Sequence, residues 1–73
     1  MDETQIYFTD SEGKALFSLP DSGILCLSYG NGDRHFSLCR RLDAAHAEID
    51  GVNYSLREFA RRMEHNKISF APA

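Results

Sequence analysis

Two Asx-Gly dipeptides, Asn31-Gly32 and Asp50-Gly51, constrain this chain more than any other feature in it. A type I′ turn needs positive φ at both central residues, and Asn-Gly or Asp-Gly between apolar runs is the strongest short-range hairpin signal. A two-residue loop at 31–32 sets Tyr29 opposite Arg34, Leu27 opposite Phe36 and Leu25 opposite Leu38. That register puts Leu25, Leu27, Tyr29, Phe36 and Leu38 on a core face. It leaves Ile24, Cys26, Ser28, His35, Ser37 and Cys39 on a mixed, wetter face. A second hairpin enters through Ala47-Glu48-Ile49, turns at 50–51 and leaves through Val52-Asn53-Tyr54. An earlier turn over 10–14, with Gly13 free to take positive φ, joins strands at 5–9 and 15–19. Pro20-Asp21-Ser22-Gly23 interrupts the sheet pattern.

The period then changes from two to 3.6. Ser55-Leu56-Arg57-Glu58 reads as a capping box, the Ser55 hydroxyl accepting from the Glu58 amide and Glu58 reaching back to the Ser55 amide. Leu56, Phe59, Ala60 and Met63 follow at i, i+3, i+4 and i+7, one face of a helix over about 56–65. Glu58 and Arg62 stand at a favourable i,i+4 spacing. Asn66 is a C-terminal stop, and residues 68–71 either add a last strand or cover the helix. Residues 42–46 read equally as a helical turn or a loop. The chain is thus expected to be a single α+β domain over 1–73, with a twisted antiparallel sheet of four to six strands packed against one C-terminal helix.

A domain of 73 residues buries only about 60% of its unfolded surface and profits from a partner. Its net charge of −3 is too mild to draw nucleic acid by field alone. Residues 1–33 hold six carboxylates (Asp2, Glu3, Asp10, Glu12, Asp21, Asp33) and one cation, Lys14. Residues 34–73 hold seven cations (Arg34, Arg40, Arg41, Arg57, Arg61, Arg62, Lys67) against five carboxylates. No apolar run approaches 18 residues, so no membrane-spanning helix is expected. The opening residues lack a signal-peptide pattern, and a cytoplasmic protein with reduced thiols is expected.

The second half carries Cys39, Leu42-Asp43, His46, Ile49-Asp50-Gly51, Tyr54 and the run Glu58-Phe59-Ala60-Arg61-Arg62-Met63-Glu64-His65-Asn66. Over residues 34–72 this order resembles small uncharacterised proteins, and segments of large polyvalent proteins, of conjugative and other mobile elements in gut Firmicutes. The resemblance implies a bacterial mobile-element setting beside DNA-processing machinery, and it names no catalytic residue.

Cys26, His35, Cys39 and His46 are the residue types that could ligate zinc. They lack the paired C-x-x-C spacing of a zinc knuckle, so buried free thiols are expected in place of a metal site. Cys39, His46 and Asp43 could be written as a nucleophile, base and orienter, but nothing in the chain supplies oxyanion donors, a phosphate loop or a nucleophile elbow. Asp43 and His46 read as a hydrogen-bonded turn. No enzyme activity and no cofactor are expected. Arg57, Arg61 and Arg62 on the helix, with Tyr7 and Tyr54 on strands, are the residues expected to meet a partner; Tyr29 is a third aromatic of this kind. An open edge strand at 5–9 or 68–71 is a further contact element. The expected function is a noncatalytic protein-interaction module, with a homodimer among its forms. The alternatives are a nucleic-acid accessory protein using the arginine face and a small inhibitor of a defence system.

Overall fold

The computed structural model describes residues 4–73. Met1, Asp2 and Glu3, on which part of the acidic-half and signal-peptide readings rest, lie outside the described residues. Strands β1 (Gln5–Thr9) and β2 (Ala15–Pro20) pair as a separate antiparallel hairpin. Next come β3 (Ile24–Ser28), β4 (Arg34–Asp43), β5 (His46–Ile49) and β6 (Val52–Ser55), then α1 (Leu56–His65) and β7 (Ser69–Pro72). The main sheet has five strands in the order β6-β5-β4-β3-β7. Its ten-residue β4 serves two hairpins, pairing with β3 along residues 34–38 and with β5 along residues 39–43. After the helix, β7 returns antiparallel to β3 and closes one end of the sheet, as the last-strand reading of 68–71 expects. The domain is α+β, with an antiparallel sheet and one C-terminal helix.

Local chemistry accounts for the ends of these elements. Asp50 and Gly51 both take positive φ, 56° and 82°, and join Ile49 directly to Val52 as a type I′ turn requires. Ser55 caps α1, its hydroxyl accepting from the Glu58 amide at 3.0 Å. The return arm of the capping box is not among the hydrogen bonds of the described residues; the Glu58 carboxylate faces Arg61 at 3.9 Å, one residue short of the expected Arg62. At the other end Asn66 is the C-cap, and Lys67 takes the left-handed conformation (φ 56°). Lys67 N–H then bonds Glu64 O and Ile68 N–H bonds Met63 O, the two bonds of a Schellman motif.

The hairpin at 31–32 departs from expectation. Only Gly32 of the pair has positive φ, at 93°. Gly32 N–H bonds Tyr29 O and Tyr29 N–H bonds Asp33 O, so Gly30, Asn31 and Gly32 form a three-residue loop. This is a type I turn with a glycine bulge. The Asn31 side chain turns back on the backbone instead of entering the left-handed region, accepting from Asp33 N–H at 3.0 Å. The loop gains one residue, and every pairing shifts by one: Ile24 faces Leu38, Leu25 faces Ser37, Cys26 faces Phe36 and Leu27 faces His35. A one-residue shift carries a strand's whole side-chain set across the sheet. Leu25 and Leu27 remain in the core as expected, joined there by Ser37 and Cys39, whereas Phe36 and Leu38 point to solvent.

The core is one cluster. Ile6, Phe8 and Leu19 come from the N-terminal hairpin, Leu25, Leu27, Cys39, Ala47 and Ile49 from the main sheet, and Leu56, Phe59 and Met63 from α1. The expected helix stripe, with Ala60, is buried in full. The rings of Phe8, Phe17, Phe59 and Phe70 are linked by stacked, tilted and edge contacts at 5.1–6.2 Å. The small Ser37 and Cys39 side chains on β4 leave volume for those rings.

Candidate interaction surface

The shifted register brings Phe36 and Leu38, which the sequence reading places in the core, onto one outer face with Ile24 and Cys26, which it places on the wetter side. Two directly opposed pairs, Ile24 with Leu38 and Cys26 with Phe36, occupy the outer face of β3 and β4. Phe36 is 59% exposed and Leu38 46%, Ile24 is exposed and Cys26 half-buried. Ala71 on β7 faces Cys26 and extends the patch toward the sheet edge. Arg40, opposite Glu48 on β5, borders it on the other side. Large side chains directly opposed across strands, with no second layer above them among the described residues, form a contiguous apolar patch of the kind that marks contact sites. The legible signal was Gly30: a glycine before Asn-Gly supplies the additional loop residue.

The expected contact residues lie elsewhere, and each of the three arginines has an intramolecular neighbour. Arg57 Nη2 donates to Ser11 O at 3.4 Å. Arg61 pairs with Glu58, and the Arg62 guanidinium lies 5.7 Å from the centre of the Tyr54 ring. Tyr54 also meets Phe59 edge to face at 5.3 Å. Tyr7 and Arg57 line a cleft of about 400 Å³ between the 10–14 turn, Ala44-Ala45 and the start of α1. Two of the amides at that helix start are engaged, Leu56 N–H with Ala45 O and Glu58 N–H with Ser55 Oγ.

The cysteine and histidine candidates separate as well. Because the register shifts, Cys26 lies on the outer face while His35 and Cys39 lie on the inner one, contrary to their expected common face. Among the described residues, no three His, Cys, Asp or Glu side chains come together as a metal site. Cys39 is fully buried, and burial pushes its thiol up to about 11, opposed by a backbone hydrogen bond to Leu25 and reinforced by the Asp50 charge. A thiol so held stays protonated at neutral pH and is a poor nucleophile. Of residues 42–46, Leu42 and Asp43 end β4, His46 starts β5, and Ala44-Ala45 form the tight turn between them, in which Asp43 Oδ1 accepts from Ala45 N–H and meets His46 Nδ1, both at 2.8 Å. These bonds hold the Asp43 carboxyl below its usual value, the Ala45 amide contributing first and the His46 side chain second. This is the hydrogen-bonded turn expected of Asp43 and His46.

Among the described residues, no helix is long and apolar enough to cross a membrane. Comparison with known proteins finds no matching family model, no matching curated protein and no matching solved structure.

Proposed function

We propose that this domain is a noncatalytic protein-interaction module of the cytosol that docks through the outer face of β3 and β4, and that the surface it meets is a second copy of itself. The opposed pairs Ile24–Leu38 and Cys26–Phe36 carry this reading. Apolar area left in water costs about 25 cal/mol per Å², and association recovers it. A two-fold axis over the patch sets the same residues against each other, so the face is complementary to itself, and sheets stack well in this way. A standard interface takes about 800 Å² per partner, roughly a sixth of the 4715 Å² this domain exposes. The patch supplies its dry centre, and Arg40 and Glu48 lie beside it with opposite charge.

The resemblance over residues 34–72 supports a mobile-element setting for the module. A nucleic-acid role has less support, since Arg57, Arg61 and Arg62 are engaged within the chain and the net charge is negative.

Sedimentation equilibrium tests the reading. The wild-type chain is expected to dimerise in the micromolar range, and the Phe36→Ser, Leu38→Ser double variant to stay monomeric with an unchanged far-UV spectrum. A wild-type chain monomeric up to about 1 mM removes the proposal, and so does a double variant that still dimerises.

A further inference from the structure

We infer that the inner side of the same sheet holds a binding site for a small phenolic molecule. A pocket of about 350 Å³ opens between β3, β4, β5, β6 and α1, with Leu27, Ile49, Tyr54, Phe59 and Met63 as walls and Ser37 among its lining residues. That volume lies at the lower end of small-molecule sites and suits a single ring.

Ser37 carries the argument. It is fully buried, and its hydroxyl has no hydrogen-bond partner among the described residues. Buried hydroxyls are almost always bonded, because an unmet one forfeits the water it gave up. Leu27, Ile49, Phe59 and Met63 offer it nothing, and the polar His35 and Asp50 side chains of the lining are engaged with each other. A hydroxyl both donates and accepts, and a phenol presents a group of the same dual kind on a flat apolar body. The ring finds matching walls: Tyr54 and Phe59 already stand edge to face at 5.3 Å, and Met63 brings a soft sulfur that packs well on aromatics.

Two further features fit a site of this kind. His35 Nε2 and Asp50 Oδ2, 3.1 Å apart, line the same pocket, and both side chains are about half exposed or more. So exposed a contact holds weakly and yields to an entering ring. Arg62 lies over the Tyr54 ring and steadies that wall, which gives the expected contact residues Tyr54 and Arg62 a positioning role.

The test is an amide NMR titration of the full chain with 4-ethylphenol and, in parallel, ethylbenzene, which has the same body without the hydroxyl. Saturable shifts are expected at Leu27, Ser37, Ile49 and Met63, with a dissociation constant near 1 mM, as suits so small a ligand. Ethylbenzene is expected to bind about tenfold more weakly. Ser37→Ala is expected to abolish that difference. Equal affinity of the two compounds for the wild-type chain overturns the inference, even without the variant. An absence of saturable shifts at these four residues, or a Ser37→Ala chain that still prefers the phenol, does the same.

Discussion

The Glu64 carboxylate, in the last turns of α1, accepts two hydrogen bonds from Ser11, one from its backbone N–H at 2.9 Å and one from its hydroxyl at 3.0 Å. The two residues are 53 positions apart. An acid near a helix C-terminus is disfavoured by the helix dipole, and here two charge-assisted bonds offset that cost. With Arg57 reaching Ser11 O and lying over Gly13, Glu64 clamps the turn of the separate N-terminal hairpin onto the helix. Glu64→Ala is expected to cost about 1 kcal/mol. The loss should be local: amide exchange should quicken across β1 and β2 and stay unchanged in β3 and β4.

The register of the first long hairpin has a direct thermodynamic signature. Leu25 is fully buried and Phe36 is 59% exposed. Leu25→Ala should therefore cost about 2–4 kcal/mol in urea unfolding. Phe36→Ala, measured at protein concentrations too low for self-association, should change stability by less than about 1 kcal/mol. A cost for Phe36→Ala as large as that for Leu25→Ala would mean that 31–32 is a two-residue loop after all.

Ser37→Ala removes a buried hydroxyl that lacks a hydrogen-bond partner among the described residues. In the unliganded domain it should stabilise by about 1 kcal/mol. For a chain of this size that corresponds to a rise in Tm of roughly 5 °C, readable by calorimetry. A fall in Tm would show that the hydroxyl is bonded in solution.

Cys39 makes stability depend on alkaline pH. Its folded-state value, about 11, lies above the ordinary 9.0. A raised value means that the folded state holds the proton more tightly, so this contribution is whole below pH 9.0 and is lost as pH climbs toward 11. Thermal midpoints should fall over that window, and the fall should be shallower in Cys39→Ala, which lacks the titrating thiol. Near neutral pH a thiol reagent should label half-buried Cys26 before Cys39.

Much of the architecture was legible in the chain because its signals are local. Asp50-Gly51 produced the expected turn, Ser55 the helix start, and Leu56, Phe59, Ala60 and Met63 the buried stripe. The candidate contact surface was not legible. Alternation in β3 and β4 favoured Phe36 and Leu38 as partners of Leu25 and Leu27 on one face, and Asn31-Gly32 agreed with that reading. What overrode both was the preference of Gly30-Asn31-Gly32 for a three-residue loop, held by Asn31 bonding to Asp33. The inner face of β4 accordingly meets the core through the small side chains of Ser37 and Cys39, in one cluster with Phe8 and Phe59.

Where the chain turns, where its helix begins and which helical stripe is buried were set by the residues alone, because positive φ, capping and amphipathic period act over a few neighbours. Which face of β4 meets the core was decided only in the folded molecule. Two loop lengths separated by one residue differ little in local energy, and the choice between them rests on how the assembled rings fill a single interior.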